Sequence, residues 1–201
     1  MKRINRPRDY RRPILIVCEG HLETFYFQAL DAWRRDPLDG AGNLYFNIIC
    51  NDGKGPESIV AKAVAKAHDG CREVWCVLDV EGPNNSEKRS RALAHAERSK
   101  IKIALTNPSF DAWAIAHLDP LPPVHASSAK CYMDALTEAL GVGFSQAGGM
   151  DFARRILGDN CCHVERARSN IRRCNNASEV RGGNPPGTNL HCLVDIFFPN
   201  S

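Results

Sequence analysis

Three carboxylates follow directly behind two strongly apolar segments of this sequence. Glu19 comes after residues 13–18, and Asp79 and Glu81 come after residues 74–78. In an extended chain, side chains two positions apart point the same way, so Asp79 and Glu81 can present their oxygens to one ligand. Carboxylate oxygens suit hard divalent cations such as Mg²⁺ or Mn²⁺, which also bind water and substrate phosphate. The pattern therefore predicts a catalytic metal site for phosphodiester chemistry, in which Glu19 relays a proton.

A plainer interpretation of the same residues stays open. Acidic side chains after strands often cap a helix or solvate a loop, and an Asp-x-Glu pair alone is a weak signal. Gly20 favours the site, because a glycine lets the backbone turn tightly beside Glu19. We therefore count Gly20 among the substrate-binding residues.

The elements that would position these carboxylates alternate between strand and helix. Four apolar, β-forming segments read as strands, at residues 13–18, 44–50, 74–78 and 101–105. The segments between them have helical spacing, and the continuous apolar run at 74–78 is typical of a strand covered on both faces. Such alternation favours a doubly wound parallel sheet, and ligands of these sheets gather at the carboxyl ends of the strands. Glu19 and Asp79 are therefore expected at one edge.

The predicted fold class is α/β, with a Rossmann-like parallel sheet flanked by helices and a helical C-terminal part. We predict a basic N-terminal arm at residues 1–12, an α/β core at 13–125, and a helical region at 126–201 packed on that core. Helices are expected near residues 128–140, 150–157, 162–174 and 188–198.

Composition narrows the class of protein. A chain of 201 residues with 43% apolar content can bury a core as one domain. Its longest apolar stretches are far shorter than the roughly 20 residues that cross a bilayer, and no apolar segment of a signal peptide follows the basic N-terminus. Nine cysteines without regular spacing indicate free thiols in a reducing compartment. We expect a cytoplasmic protein without a membrane partner.

Positive charge is unevenly distributed, although the net charge is only +3. Basic residues crowd the first twelve positions, and arginines recur between residues 154 and 181. A phosphodiester substrate needs cations beside an acidic site, so we expect Arg11, Arg12 and Arg172 to contact nucleic acid. The alternative is that these arginines only solvate the surface.

Several of these segments resemble a known family. Ile14-Leu-Ile-Val-Cys-Glu-Gly20 and Val77-Leu-Asp-Val-Glu81 look like the two signature motifs of the TOPRIM domain, which primases, topoisomerases and OLD-family nucleases share. Thr106-Asn-Pro-Ser-Phe-Asp-Ala-Trp113, followed by His117, resembles the most discriminating block of RloB-like proteins. The ending Thr188-Asn-Leu-His-Cys-Leu-Val-Asp195 is similar to the closing helix of that family, whereas the middle of the C-terminal half matches poorly.

The resemblance implies a TOPRIM fold, a divalent metal held by Asp79 and Glu81, and Glu19 as the acid or base of a nuclease. It also implies antiphage defence beside an AAA-type or ABC-type ATPase, with DNA or RNA, tRNA included, as the substrate; a homo-oligomer is left open. Asp111 stands where the family often has Glu and is expected to add a metal ligand. Asn107 is expected to bind phosphate, although Asn-Pro also favours a plain turn. Glu81, in place of the commoner Asp, is the residue most able to disturb the metal shell.

Two other groups of residues resemble known ligand-binding motifs. Cys161-Cys-His163, with Cys174, His191 and Cys192, offers zinc ligands, but no Cys-x-x-Cys pair supports a zinc site. Gly53-Lys-Gly55 lacks the spacing of a phosphate-binding loop and is expected to be a turn. A second hypothesis for the whole protein is a TOPRIM-fold subunit that binds an ATPase or nucleic acid and cleaves nothing.

Overall fold

The computed structural model describes residues 12–35, 44–67, 70–80, 86–118, 129–181 and 187–198. Two of the predicted site residues, Arg11 and Glu81, lie outside these ranges. So does the predicted boundary between core and C-terminal region at residue 125, which stays a prediction.

Four strands and four helices alternate in the first part of the chain. The strands are β1 (Ile14–Cys18), β2 (Phe46–Cys50), β3 (Glu73–Asp79) and β4 (Lys102–Asn107). The helices are α1 (His21–Arg34), α2 (Pro56–Lys66), α3 (Ser86–Arg98) and α4 (Phe110–Ile115). The predicted order of strands and helices is therefore confirmed.

The strands form a sheet in the order β2-β1-β3-β4, with all neighbours parallel. A fifth strand, β5 (Gly187–Thr188), pairs antiparallel with the end of β4 and was not predicted. Because the order reverses between β1 and β3, a crevice is expected where these two strands end. The α/β class predicted from the sequence is confirmed.

Helices cover both faces of the sheet, as its strands require. Ile14, Ile16 and Cys18 face one hydrophobic cluster, which includes α1 and the C-terminal helices. Leu15 and Val17 face the other cluster, formed with α2 and α3. Every residue of β1 is buried because both of its faces are covered, which explains the continuous apolar run in the sequence.

The C-terminal helices pack against α1 and α4. They are α5 (Ala129–Leu140), α6 (Gly149–Leu157), α7 (Val164–Arg181) and α8 (Leu190–Val194). Helix α7 extends beyond its predicted end at residue 174, and the predicted last helix is shorter, with a 3-10 turn at Asp195–Phe197. The Phe197 ring stacks on Phe46 with centroids 4.1 Å apart, which seals the α1 side of the core. Among the described residues, no helix is long and apolar enough to span a bilayer.

Candidate functional site

Glu19 and Asp79 meet at the point where the strand order reverses. Glu19 directly follows β1, and Asp79 is the last residue of the neighbouring strand β3. A carboxylate oxygen of Glu19, Oε2, accepts a hydrogen bond from the backbone N–H of Asp79 at 3.1 Å. The sheet therefore brings these two carboxylates to one edge, as the sequence predicted.

The carboxylate of Asp79 joins three elements. Its Oδ1 atom accepts hydrogen bonds from the hydroxyl of Thr106 at 2.5 Å and from the backbone N–H of Phe110 at 2.9 Å. Burial raises the pKa of Asp79 well above its usual value, and the negative charges of Glu23 and Glu19 raise it further. The site thus holds this carboxylate in place while its surroundings oppose its charge.

Glu23 is the site residue that the sequence analysis missed. It lies in the first turn of α1, and only 6% of its surface is exposed. Burial raises its pKa to about 7, and the charges of Asp111 and Glu19 add to this, although backbone N–H groups of Glu23 and Gly20 act in the opposite direction. The available signal was a carboxylate four residues after Glu19, beside Leu22 and Tyr26 on the apolar face of the helix.

Asp111 completes the cluster from the other side. It lies in the first turn of α4, where the Ser109 hydroxyl donates a hydrogen bond to its Oδ2 atom at 3.3 Å. Its charge raises the pKa of both Glu23 and Asp79. Ser109 occupies the N-cap position of α4, but its side chain makes no cap hydrogen bond to the backbone. We refer to Glu19, Glu23, Asp79 and Asp111 as the acidic cluster.

Gly20 and Glu23 are in close contact. A methyl group at Gly20 would lie 3.0 Å from Oε2 of Glu23, although the backbone there, with φ of −124°, is accessible to any residue. Gly20 is therefore needed for space beside Glu23 rather than for an unusual backbone conformation. The Gly20 carbonyl also accepts a hydrogen bond from the Thr24 hydroxyl at 2.8 Å.

A cleft of about 340 Å³ opens beside Glu19. Besides Glu19, its lining residues come from the turn before α2, from the start of α2 and from α3. They are Gly53, Lys54 and Gly55 in the turn, Pro56 and Glu57 in α2, and Lys88 in α3. The Glu57 carboxylate is paired with Arg91, with N···O distances of 2.7 and 3.4 Å. Lys54 and Lys88 therefore bring positive charge to a cleft that Glu19 also lines. The predicted turn at residues 53–55 is present, and a hydrogen bond of 2.9 Å from Gly53 N–H to the Glu19 carbonyl holds it beside the site.

The other predicted residues lie at varying positions relative to this cluster. Asn107 ends β4 directly after Thr106, at the same edge of the sheet. Arg172 is exposed on α7, and its neighbour in sequence, Ile171, lines a small cavity together with Thr106 and Asn107. Arg12 precedes β1 and is therefore at the amino end of the sheet, opposite the acidic cluster.

His117 lies in the core of the protein. It is fully buried, with Nε2 at 3.1 Å from the Tyr26 hydroxyl and Nδ1 at 2.9 Å from the Trp113 carbonyl. Burial lowers its pKa to about 3. The Arg166 side chain donates to the His117 carbonyl at 3.1 Å, which attaches α7 to the end of α4. This histidine fixes α4, and through it the N–H that binds Asp79.

The acidic cluster has the chemistry to hold a hard divalent ion, which needs only one or two carboxylates in addition to water. Besides burial, the negative charges of neighbouring carboxylates raise the pKa of Glu23 and Asp79, and a cation would relieve that repulsion. Across the described ranges, however, three candidate ligand atoms come within 4.8 Å of one another only at His21, Cys50 and Asp52. The cluster alone therefore does not form a closed cage.

The fold and site define a doubly wound α/β protein with an acidic cluster where its strand order reverses. The chain belongs to the RloB-like family, because the model of the RloB-like protein family matches residues 14–197. The predicted RloB-like family is thereby confirmed, whereas the relationship to TOPRIM and OLD-family proteins stays a prediction. No curated protein and no solved structure matches the chain.

Proposed function

We propose that this protein is a metal-dependent nuclease that cleaves phosphodiester bonds in DNA or RNA, tRNA included. The observation that carries the proposal is the acidic cluster, in which a buried carboxyl, Glu23, shares the strand-end crevice with Glu19, Asp79 and Asp111. Perturbed carboxylates in a crevice are typical of sites that bind cations or transfer protons. Glu81, which follows the described end of β3, is proposed as a further ligand.

Mg²⁺ or Mn²⁺ would be held by Asp79, Glu81 and Asp111, with Glu19 or Glu23 beside it. When bound, such an ion supplies charge stabilisation at the phosphoryl oxygens. The residues of the chain contribute orientation, because the Thr106 hydroxyl and the Phe110 N–H fix the Asp79 carboxylate.

Proton transfer has two candidates in the cluster. Glu19 is the less buried of the two and also lines the cleft. Glu23 has a pKa of about 7, near which a general acid or base works best at neutral pH. Since a carboxyl with that pKa is present in both protonation states near neutral pH, the structure supports adding Glu23 to the role predicted for Glu19.

The cleft supports a phosphate-bearing substrate. Lys54 and Lys88 bring positive charge to the side of Glu19 that faces the cleft, and the first turn of α2 adds backbone N–H groups behind Gly55. A nucleic acid strand crossing the acidic cluster needs such cations for its neighbouring phosphates. We therefore propose Lys54 and Lys88 as substrate contacts, together with Arg172 and Asn107.

The test is cleavage of labelled single-stranded DNA, duplex DNA and tRNA by the purified chain, with Mg²⁺, with Mn²⁺ and with a chelator. We expect cleavage that needs the metal and is lost in Glu19→Gln and Asp79→Asn, while the matched control Glu97→Gln, on the exposed side of α3, cleaves like the wild type. Equal cleavage by wild type and both site variants would refute the proposal. Where an ATPase gene lies next to the gene of this protein, that ATPase is added to the assay, because we propose an ATPase partner in antiphage defence.

One observation favours the second function, a subunit that binds an ATPase or nucleic acid without cleaving. The Asp79 carboxylate is already bound by the Thr106 hydroxyl and the Phe110 N–H, as a purely structural carboxylate would be. Calorimetry separates the two functions. Mn²⁺ binding that disappears in Asp79→Asn supports the nuclease, whereas a wild-type chain that binds no Mn²⁺ supports the non-catalytic subunit.

A further inference from the structure

A second group of possible metal ligands lies beside the acidic cluster but differs from it in chemistry. His21 is the first residue of α1, Cys50 is the last residue of β2, and Asp52 lies in the turn that follows. One nitrogen, one sulfur and one oxygen atom of these side chains lie within 4.8 Å of one another. The Nε2 atom of His21 is 3.8 Å from Oδ1 of Asp52.

The backbone fixes the positions of these three residues. Cys50 is paired with Cys18 in the sheet, and Cys18 lies three residues before His21, the first residue of α1. The turn is attached to the end of β1 by hydrogen bonds of 2.9 Å from Asn51 N–H to the Cys18 carbonyl and from Gly53 N–H to the Glu19 carbonyl. The ligands therefore belong to two elements whose separation is set by the sheet.

The turn itself is shaped to direct Asp52 towards Cys50. Asp52 has a positive φ of 56°, a conformation that Asp tolerates better than most residues. Its N–H donates to the Cys50 sulfur at 3.3 Å, so the sulfur is already a hydrogen-bond acceptor within the group. These contacts keep the sulfur of Cys50 and the carboxylate of Asp52 together, within 4.8 Å of the His21 nitrogen.

The set of ligand atoms selects a class of metal. A thiolate and an imidazole suit Zn²⁺ and similar transition metals, whereas Mg²⁺ requires oxygen ligands. Three protein ligands leave a fourth tetrahedral position for water. The side chains of His21 and Asp52 are 35% and 55% exposed, so an ion can reach them from solvent. This selectivity separates the group from the acidic cluster.

The geometry points to a binding site for Zn²⁺ or a similar transition-metal ion at His21, Cys50 and Asp52, distinct from the acidic cluster. The inference does not depend on nuclease activity. It replaces the zinc site considered around residues 161–192, since no three ligands converge there in the part of that segment whose side chains are described.

A bound ion would join the two segments on either side of Glu19. His21 follows Glu19 by two residues, and Asp52 precedes Gly53, whose N–H binds the Glu19 carbonyl. Occupancy would therefore brace the start of α1, which also carries Glu23. A Zn²⁺ ion at this site would in this way help to position carboxylates of the acidic cluster, which suit Mg²⁺ or Mn²⁺.

The experiment uses Co²⁺ as a spectroscopic probe of the full chain, with a non-thiol reductant and excess Mg²⁺. We expect one equivalent of Co²⁺ to give a sulfur-to-cobalt charge-transfer absorption, which Zn²⁺ displaces. The band should vanish in Cys50→Ser and weaken in His21→Ala. It should persist in the control Cys162→Ser, which removes an exposed thiol elsewhere, and in Asp79→Asn, which alters only the acidic cluster.

Zinc affinity provides the second measurement, by competition with a chromophoric chelator. Mutation of residues that only hydrogen-bond to metal ligands changes metal affinity by about 10- to 100-fold. Loss of a ligand itself, the Cys50 sulfur, should therefore weaken Zn²⁺ binding by about 100-fold or more. Absence of a charge-transfer band in the wild type, or a band that survives Cys50→Ser, overturns the inference. Loss of the band in Asp79→Asn would overturn its independence from the acidic cluster. Failure of cleavage assays has no bearing on either result.

Discussion

Glu19 accepts a hydrogen bond from the backbone N–H of Asp79 at 3.1 Å, although sixty residues separate them in the sequence. The bond joins the ends of the two strands between which the sheet reverses its order. At the same time, the charge of Glu19 raises the pKa of Asp79. The backbone thus holds together carboxylates that repel one another. Such a local cost to stability is expected at sites that are kept for binding or chemistry.

The first prediction concerns the stability cost of Glu23. Its pKa is about 7 in the folded chain against an ordinary value of 4.5, so the folded state retains a proton that the unfolded state releases between these values. The contribution of Glu23 protonation to the free energy of unfolding is therefore fully present below pH 4.5. It is lost as the pH rises through 7, which lowers stability by up to about 3 kcal/mol. Glu23→Gln cannot ionise and should be more stable than wild type by about 1–3 kcal/mol at about pH 8.

Urea unfolding with a chelator present measures this difference. Near pH 4 the advantage of Glu23→Gln should disappear, because wild-type Glu23 is then protonated in both states. The exposed control Glu97→Gln should stay within about 0.5 kcal/mol of wild type at both pH values. If Glu23→Gln is less stable than wild type at high pH, the ionised Glu23 carboxylate stabilises the fold, which would contradict this prediction.

The second prediction uses the contact between Gly20 and Glu23. The added methyl group of Gly20→Ala would lie 3.0 Å from Oε2 of Glu23, so the carboxylate must shift by a few tenths of an ångström. Since the backbone conformation suits alanine, we expect a stability change below about 1 kcal/mol. Mn²⁺ affinity measured by calorimetry should nevertheless fall by roughly 10-fold, as for other groups that orient metal ligands.

Gly143→Ala is the matched control for this substitution. A methyl group there meets only Thr137 at 3.9 Å, an ordinary contact, so both stability and Mn²⁺ binding should be unchanged. Wild-type Mn²⁺ affinity in Gly20→Ala would remove Glu23 from the proposed metal site.

The sequence predicted those features of the site that follow from strand periodicity. Continuous apolar runs located β1 and β3, and the rule for strand ends in parallel sheets placed Glu19 and Asp79 together. Glu23 was missed because it lies on the apolar face of α1, where spacing alone predicts core. Its carboxyl partners come from β3 and α4, which only the tertiary structure brings near.

Two other features also depended on tertiary contacts. The turn at residues 53–55 was predicted, but its place beside Glu19 depends on the Gly53 hydrogen bond to that residue's backbone. Lys88 belongs to a charged helix, and nothing in the sequence distinguishes it from the three arginines of that helix. Strand β5 has two residues, too few for a periodic signal, and exists because the chain returns to the edge of β4.

The third prediction is a pH effect from His117. Its pKa is about 3 when folded, against an ordinary value of 6.5, so only the unfolded state gains a proton between these values. Its contribution to stability is present above pH 6.5 and is lost as pH falls, by about 2 kcal/mol at pH 5. His117→Gln should be less stable than wild type near pH 7.5 by about 1–3 kcal/mol, because bonds to Tyr26 and Trp113 are impaired.

The difference between these two chains should shrink on acidification, because Gln does not titrate. Comparing them also cancels the opposite pH dependence of Glu23, which both chains share. Urea unfolding at several pH values provides the measurement, and His95→Gln on α3 is the control. A stability difference that stays constant down to pH 5 would show that folded His117 gains its proton as readily as the unfolded chain does.

The fourth prediction tests the cleft beside Glu19. Lys54→Ala and Lys88→Ala each remove a positive charge from its lining, so both should weaken nucleic acid binding and each should reduce the salt dependence by about one unit of slope.

Binding is measured by fluorescence anisotropy in the Asp79→Asn background, which is chosen to prevent the proposed cleavage. Lys66→Ala, in the last turn of α2, is the control and should bind like its parent. Because these lysines are proposed to contact phosphate rather than metal, Mn²⁺ affinity in the otherwise wild-type chain should not change. A parental salt slope in both variants would show that nucleic acid does not bind along this cleft, and the exposed Arg172 would then be the next candidate contact.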